Sequence, residues 1–140
     1  FYYLHQYYVH TPIEYAREWQ FGYKEAVKIA GIYQDDVEKI IVTYQYDQPY
    51  IYFLFYNRID PVWYQNNWLG ELSGIPSTGV KRAERRFGKY EFRNIDWEKD
   101  KNERNVLMIA APWEIPDDIG EKLAEIPFPD GSPVFRIVKR

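Results

Sequence analysis

The chemically versatile side chains of this sequence are two histidines, scattered carboxylates and an unusual number of tyrosines. His10, just before Thr11-Pro12, is placed to act as a general base, but no serine lies at nucleophile spacing and cysteine is absent, so capping or packing is its other reading. Asp47 and Glu114 could form the acid/base pair of glycoside hydrolysis, which needs carboxyls about 5 to 9 Å apart. Each also stands where a helix begins, and there a carboxylate caps backbone N–H groups. Asp117-Asp118 has the look of a metal pair, yet adjacent acids at a helix start complement the helix dipole. Gly70, Gly74 and Gly79 lack the strand-to-helix setting of a phosphate loop. No catalytic residue, metal site or cofactor is therefore assigned. The strongest group is Tyr46-Asp47-Gln48-Pro49-Tyr50, which joins a rigid proline, two amphipathic rings and hydrogen-bonding groups at the end of an apolar run. With Thr11, Tyr44 and Trp113 beside it, this turn is the candidate ligand-binding or partner-contacting surface, its side chains held in place at low entropic cost. The competing reading is that Gln48 and Tyr50 only satisfy backbone groups.

Composition narrows the classes. The chain has 140 residues, 46% of them hydrophobic, enough for one domain with its own core. Without cysteine, disulfides, thiolate metal sites and thiol nucleophiles are excluded. Eighteen basic against 21 acidic residues leave a net charge of -3, which gives no argument for nucleic acid. The basic cluster Lys81-Arg82 with Arg85-Arg86 is broken by Glu84 and reads as a solvated edge. Aromatic residues reach 19%, with 14 tyrosines and 5 tryptophans, a composition that suits sugar-facing, protein and membrane interfaces alike. No stretch is long and apolar enough to span a bilayer. The abrupt Phe1-Tyr2-Tyr3-Leu4 start is read as that of a piece excised from a larger protein.

The elements that must position the turn follow in order. Phe1 to His10 reads as an aromatic strand ending at Thr11-Pro12, and Thr11 caps a long helix running to Ala30 with Gly31 as C-cap. Val37 to Thr43, around Ile40-Ile41-Val42, is a buried strand, so the first three elements make a βαβ unit with parallel strands. Asp47 caps a helix with Pro49 in its first turn, and Tyr50 to Tyr56 is so apolar that it must be covered. Asp60-Pro61 starts a further short helix through Trp63, Tyr64 and Trp68. Gly70 to Glu84 is a long loop, Phe87 to Asp96 an edge-like strand, and Trp97 to Arg104 a solvated connector. Asn105 to Ala111 repeats the buried-strand pattern, Pro116 to Ile126 reads as a short helix, and a turn at Pro129-Asp130-Gly131 leads into an antiparallel edge strand, Ser132 to Lys139. Ile41, Val42, Leu107, Ile109 and Val27 are expected at the centre of one core. The fold class is α/β, a single domain with a mixed, partly parallel sheet, and ligands should gather at the carboxyl ends of its parallel strands.

The segments YLHQYYVHTPIEYAREWQFGYKEAV, IIVTYQYDQPYIYFLFYNRIDPVWYQ, FGKYEFRNIDW and PDGSPVFRI resemble the soluble C-terminal region of polytopic glycosyltransferases similar to the dolichyl-phosphate-mannose protein mannosyltransferase family. The likeness covers most of the chain, and the QPY, YFLFY, DP and YQ series is its most specific part. The resemblance implies a membrane-embedded enzyme using a lipid-linked sugar, followed by an extracytoplasmic α/β domain. In that family the catalytic acid lies in a loop among the membrane helices, so no catalytic residue is carried over to this chain. Partners implied are the transmembrane portion of the parent protein and a carbohydrate or glycosyl acceptor. Two functional readings follow: a non-catalytic accessory domain of such an enzyme, or a stand-alone α/β hydrolase or transferase working at the carboxyl edge of the sheet.

Overall fold

The β-branched run Ile40-Ile41-Val42 forms strand β1 (Lys39–Val42), and this strand is the middle of the sheet. The computed structural model describes residues 1–67, 69–70, 85–119 and 122–140. The other strands are β2 (Leu69–Gly70), β3 (Arg85–Phe87), β4 (Tyr90–Phe92), β5 (Val106–Ala110), β6 (Lys122–Pro127) and β7 (Pro133–Lys139), in the order β2-β3-β4-β1-β5-β7-β6. β1 runs parallel to β4 and β5, and the remaining pairs are antiparallel. The domain is thus α/β, with a mixed sheet that is parallel at its centre and antiparallel at its edges.

Alternation along the strands divides the interior into two layers. Ile40 and Val42 join Leu107, Ile109, Phe92 and Phe135 on one face, where α3 (Tyr23–Tyr33) lays Tyr23, Ala26, Val27 and Ala30 and α4 (Pro49–Tyr56) inserts Phe53. Ile41 points the other way, to Met108, Ala110, Val138, Ile95 and Ile115. The residues expected in one core are all buried, but Ile41 belongs to the opposite layer from Val27, Val42, Leu107 and Ile109. A period of two in the strand makes that separation unavoidable.

Several expected elements take another form. Phe1 to His10 is not a strand: Tyr2–His5 is an α-helix (α1), Gln6–His10 a π-helical turn, and Thr11–Glu14 a further helix (α2), with no buried residue in any of them. Aromatic residues favour strands only where a neighbouring strand receives them. Away from the sheet, this segment satisfies its backbone internally as a helix. The initial βαβ unit is therefore absent, and β1 finds its parallel partners later in the chain. The long helix to Ala30 is also interrupted, because Gln20 (φ 51°) and Gly22 (φ 94°) turn the backbone left-handed before α3 begins. A Cβ at Gly22 would come within 3.2 Å of Val134 and 3.3 Å of Phe135, so the break lies where the chain is pressed against β7. Gly31 is no C-cap, since α3 continues to Tyr33.

Pro49 does open α4, but the N-cap position is Gln48 rather than Asp47, and no side chain caps it. The helix is not covered on most sides: Pro49 and Phe53 are buried, whereas Ile51, Phe55 and Tyr56 are exposed. Asp60 does cap α5 (Pro61–Asn67), accepting a 2.8 Å hydrogen bond from the Val62 N–H. Of the expected 70–84 loop, residues 71–84, with Lys81 and Arg82, lie outside the described residues, as does Trp68. The strand expected over Phe87 to Asp96 is shorter and paired: β4 ends at Phe92, forms a tight hairpin with β3, and is internal rather than an edge. The connector Trp97 to Arg104 begins as a helical turn, α6 (Trp97–Asp100), whose Asp100 is buried.

Among its described residues, Pro116 to Ile126 forms no helix, and from Lys122 it is β6. Glu, Lys, Leu and Ala there favour a helix, but the Asp130 carboxylate accepts from Ser132 N at 2.9 Å and Gly131 adopts φ 84°, closing a turn that makes this segment the hairpin partner of β7. β7 consequently lies between β5 and β6 instead of at the edge. Asp117 complements no helix dipole. It pairs with the buried Arg136, whose guanidinium also donates to the carbonyls of Pro112 and Ile115 and to Glu125.

Candidate functional site

The carboxyl ends of β1, β4 and β5 lie side by side, and one carboxylate braces all three. Glu114 accepts from the Ile95 N–H at 3.0 Å, beyond β4; from the Ala111 N–H at 2.9 Å, beyond β5; and from the Gln45 side-chain amide at 3.4 Å, beyond β1. Both of its oxygens are occupied by structural donors, so Glu114 is a clasp rather than half of an acid/base pair. Its role could not be read from sequence, because the three strand ends that it joins are remote from one another in the chain.

The chain leaves β1 through Thr43, which is fully buried and whose Oγ1 accepts from the Gln45 N–H at 3.2 Å. This local bond turns the backbone out of the ladder. Asp47 (φ 61°) and Gln48 (φ 38°) then adopt left-handed conformations in succession. Outside glycine that region costs about 1 to 2 kcal/mol per residue, less for Asp than for Gln. Pro49 is buried directly afterwards and anchors the turn to the core. The result is a rigid, strained turn on which Tyr44, Tyr46 and Tyr50 lie half-buried against the core while Gln48 faces solvent.

Tyr46 is the best fixed of these. Its hydroxyl donates to the Val134 carbonyl at 2.8 Å, and its ring meets Phe135 edge-on at 5.3 Å and Trp113 at 5.8 Å. Burial, followed by the nearby charge of Glu114, pushes its phenol up to about 12 against a smaller opposing effect of Arg17. Tyr23, on α3, stacks on Tyr52 at 4.5 Å and meets Phe135 at 5.0 Å. Burial, reinforced by Tyr52, Tyr46 and Asp47, raises its phenol far above the ordinary range, and its buried hydroxyl has no hydrogen-bond partner among the described residues. Both phenols are neutral at physiological pH. They can orient a ligand or a water but cannot serve as bases.

The other side of the turn is also built of rings. Tyr50 donates to the Gln48 side-chain oxygen at 3.3 Å, stacks beside Tyr64 at 6.4 Å and lies under the Arg85 guanidinium at 4.1 Å. Trp113 is 66% exposed, and its ring lies 5.8 Å from that of Tyr46 with 68° between the planes. Tyr44, Tyr46, Asp47, Gln48, Tyr50 and Trp113 thus share one end of the sheet. Thr11 does not belong there through the strand end expected of it: it lies in a helix, and its hydroxyl donates to the Gln6 carbonyl at 3.1 Å. His10 is engaged in the same helical segment, with Glu14 at 3.1 Å. Tyr23, Tyr52 and Arg85 were missed in the sequence. The tyrosine spacing 44, 46, 50, 52 was the available signal for Tyr52, whereas Tyr23 and Arg85 join the cluster only through tertiary packing. Among the described residues, no three His, Asp or Glu side chains converge as a metal-ligand set. Comparison with protein-family models, with characterised proteins and with solved structures finds no match.

Proposed function

We propose that this is a non-catalytic accessory domain of a membrane-embedded glycosyltransferase that uses a lipid-linked sugar, and that it stands on the extracytoplasmic face of the membrane. Its aromatic edge meets a carbohydrate or glycosyl acceptor, or the transmembrane portion of the parent protein. The observation that carries this reading is the pairing of an exposed Trp113 with the immobilised Tyr46 beside the strained Asp47-Gln48 turn. A largely exposed flat ring beside an immobilised one suits the apolar face of a sugar ring, and a fixed platform limits the entropy lost on binding. Strained non-glycine backbone concentrates at functional positions. The exposed Ile51 and Phe55 of α4 give the same domain an apolar surface on which a larger protein can pack. The occupied carboxylate of Glu114 and the neutral phenols weigh against a hydrolase or transferase working at this edge.

Trp113→Ala and Gln48→Ala test the proposal in the intact protein, because both side chains are exposed and contribute little to the core. Glycosyl transfer per folded molecule should fall about tenfold for Trp113→Ala, as for a central aromatic contact, while the melting temperature stays close to that of the parent. Unchanged transfer with both substitutions would overturn the assignment of this edge.

A further inference from the structure

We infer that the Tyr23 hydroxyl is a ligand-contacting group at the floor of the aromatic edge, and that it exchanges hydrogen bonds with a hydroxyl of an uncharged carbohydrate. The inference rests on the reading of that edge as a carbohydrate contact and names the group within it that recognises the sugar. Tyr23 is 2% exposed, and its hydroxyl is buried with no hydrogen-bond partner among the described residues. A buried donor without an acceptor lowers stability, and native structures contain few of them. Phenylalanine would fill the same space without that cost, so the hydroxyl calls for a partner that the fold itself does not supply.

The surroundings of this hydroxyl lead to the edge. The Tyr23 ring meets Phe135 at 5.0 Å, Phe135 meets Tyr46 at 5.3 Å, and Tyr46 meets Trp113 at 5.8 Å, a continuous row of rings from the interior to the exposed Trp113. Tyr44, Tyr46, Asp47 and Tyr52 stand near enough to act on the Tyr23 phenol, and all four are only half-buried. Tyr46 is pinned by its 2.8 Å bond to the Val134 carbonyl, whereas Tyr52 lies flat on the Tyr23 ring, 4.5 Å away with 3° between the planes. Rotation of the half-buried Tyr52, of the kind that partly exposed side chains make readily, opens the Tyr23 hydroxyl to a ligand lying along the edge.

Hydrogen-bonding chemistry selects the class of ligand. A neutral phenol has one O–H to donate and lone pairs with which to accept. A carbonyl would use only the donor and an ammonium only the acceptor, but a hydroxyl uses both. The carboxylates of Asp47, near Tyr23, and of Glu114, which outweighs Arg17 at Tyr46, oppose a phosphate or carboxylate. One neutral hydroxyl among rings therefore suits a sugar hydroxyl flanked by apolar C–H groups.

The test titrates the 140-residue chain with the methyl glycosides of glucose, mannose and galactose, followed by NMR, and it does not measure glycosyl transfer. At least one glycoside should bind. Tyr23→Phe should weaken that binding about tenfold while raising the melting temperature by about 3 °C, because it removes a buried group that the free fold leaves unpaired. Among the monodeoxy analogues of the bound glycoside, one should bind the parent chain about tenfold more weakly and lose nothing further on Tyr23→Phe, a coupling that a merely structural role does not produce. Trp113→Ala separates the inference from the reading on which it rests. Loss of binding with Trp113→Ala but not with Tyr23→Phe would leave the edge a carbohydrate contact and overturn the role of Tyr23. No binding of any glycoside by the parent chain would overturn both. A melting temperature lowered by Tyr23→Phe would also overturn the inference, since the hydroxyl would then have a partner inside the fold, such as Gln20 Oε1, the other buried side-chain atom left unpaired among the described residues.

Discussion

Single side chains hold the candidate edge together, and Glu114 has the most to do. Glu114→Gln replaces one carboxylate oxygen with an NH2 group, which cannot accept from either the Ile95 or the Ala111 N–H. A buried donor left without an acceptor costs about 1 to 3 kcal/mol, so the urea midpoint should fall by a corresponding amount with an unchanged slope. A variant as stable as the parent would mean that water replaces the carboxylate and that the clasp is dispensable. Sequence placed a carboxylate after Pro112-Trp113 but offered capping or acid chemistry as its role. The true role depends on three strand ends meeting, and no local pattern contains that information. Tyr46, in contrast, was legible as a ring at the end of a buried strand, because that position follows from the strand itself.

Among the elements, α6 and the end of β4 are joined by an ion pair that the solvated-connector reading did not anticipate. Arg93 donates twice to Asp100, at 2.8 Å each, and once to Glu91 at 3.0 Å. Glu91 also receives Arg86 at 3.0 Å, while Lys39 pairs with Glu103 at 2.5 Å. Burial disfavours the charge of Asp100, but the hydrogen bonds from Arg93 and from the Asp96 N–H outweigh it and hold the carboxyl below its ordinary value. A depressed folded value means that the stabilisation is fully present above the unfolded value, about 3.9, and is lost as pH falls through the folded value. Asp100→Asn should therefore cost about 3 kcal/mol at pH 7 and flatten the loss of stability below about pH 4. Urea midpoints at pH 7 and pH 3 check both; equal acid sensitivity in the two proteins would remove Asp100 from the account. Charged residues spaced through Trp97 to Arg104 look solvated in sequence, because the Arg93 that buries Asp100 precedes them on another element.

For the whole molecule, the two-layer interior predicts a strong penalty at the strand that both layers share. Ile41→Asp puts a carboxylate against Met108, Ala110 and Val138, where an unpaired charge costs several kcal/mol, and the domain should lose its cooperative thermal transition. A soluble variant that still melts cooperatively would show that the second layer is not a core. The sequence by itself determined β1, β5, α4, α5 and the Pro129-Asp130-Gly131 turn, because apolar runs, acid-proline starts and turn residues act over a few neighbouring positions. It also determined the α/β class and the turn at which the aromatic edge is built. Tertiary structure alone decided that Phe1 to His10 is helical rather than extended, that Lys122 to Pro127 pairs with β7, and that β7 is internal. Strand formation is a contract between distant segments: a stretch of aromatic or mixed residues becomes β only if it pairs with another strand, and satisfies its own backbone as a helix if it does not.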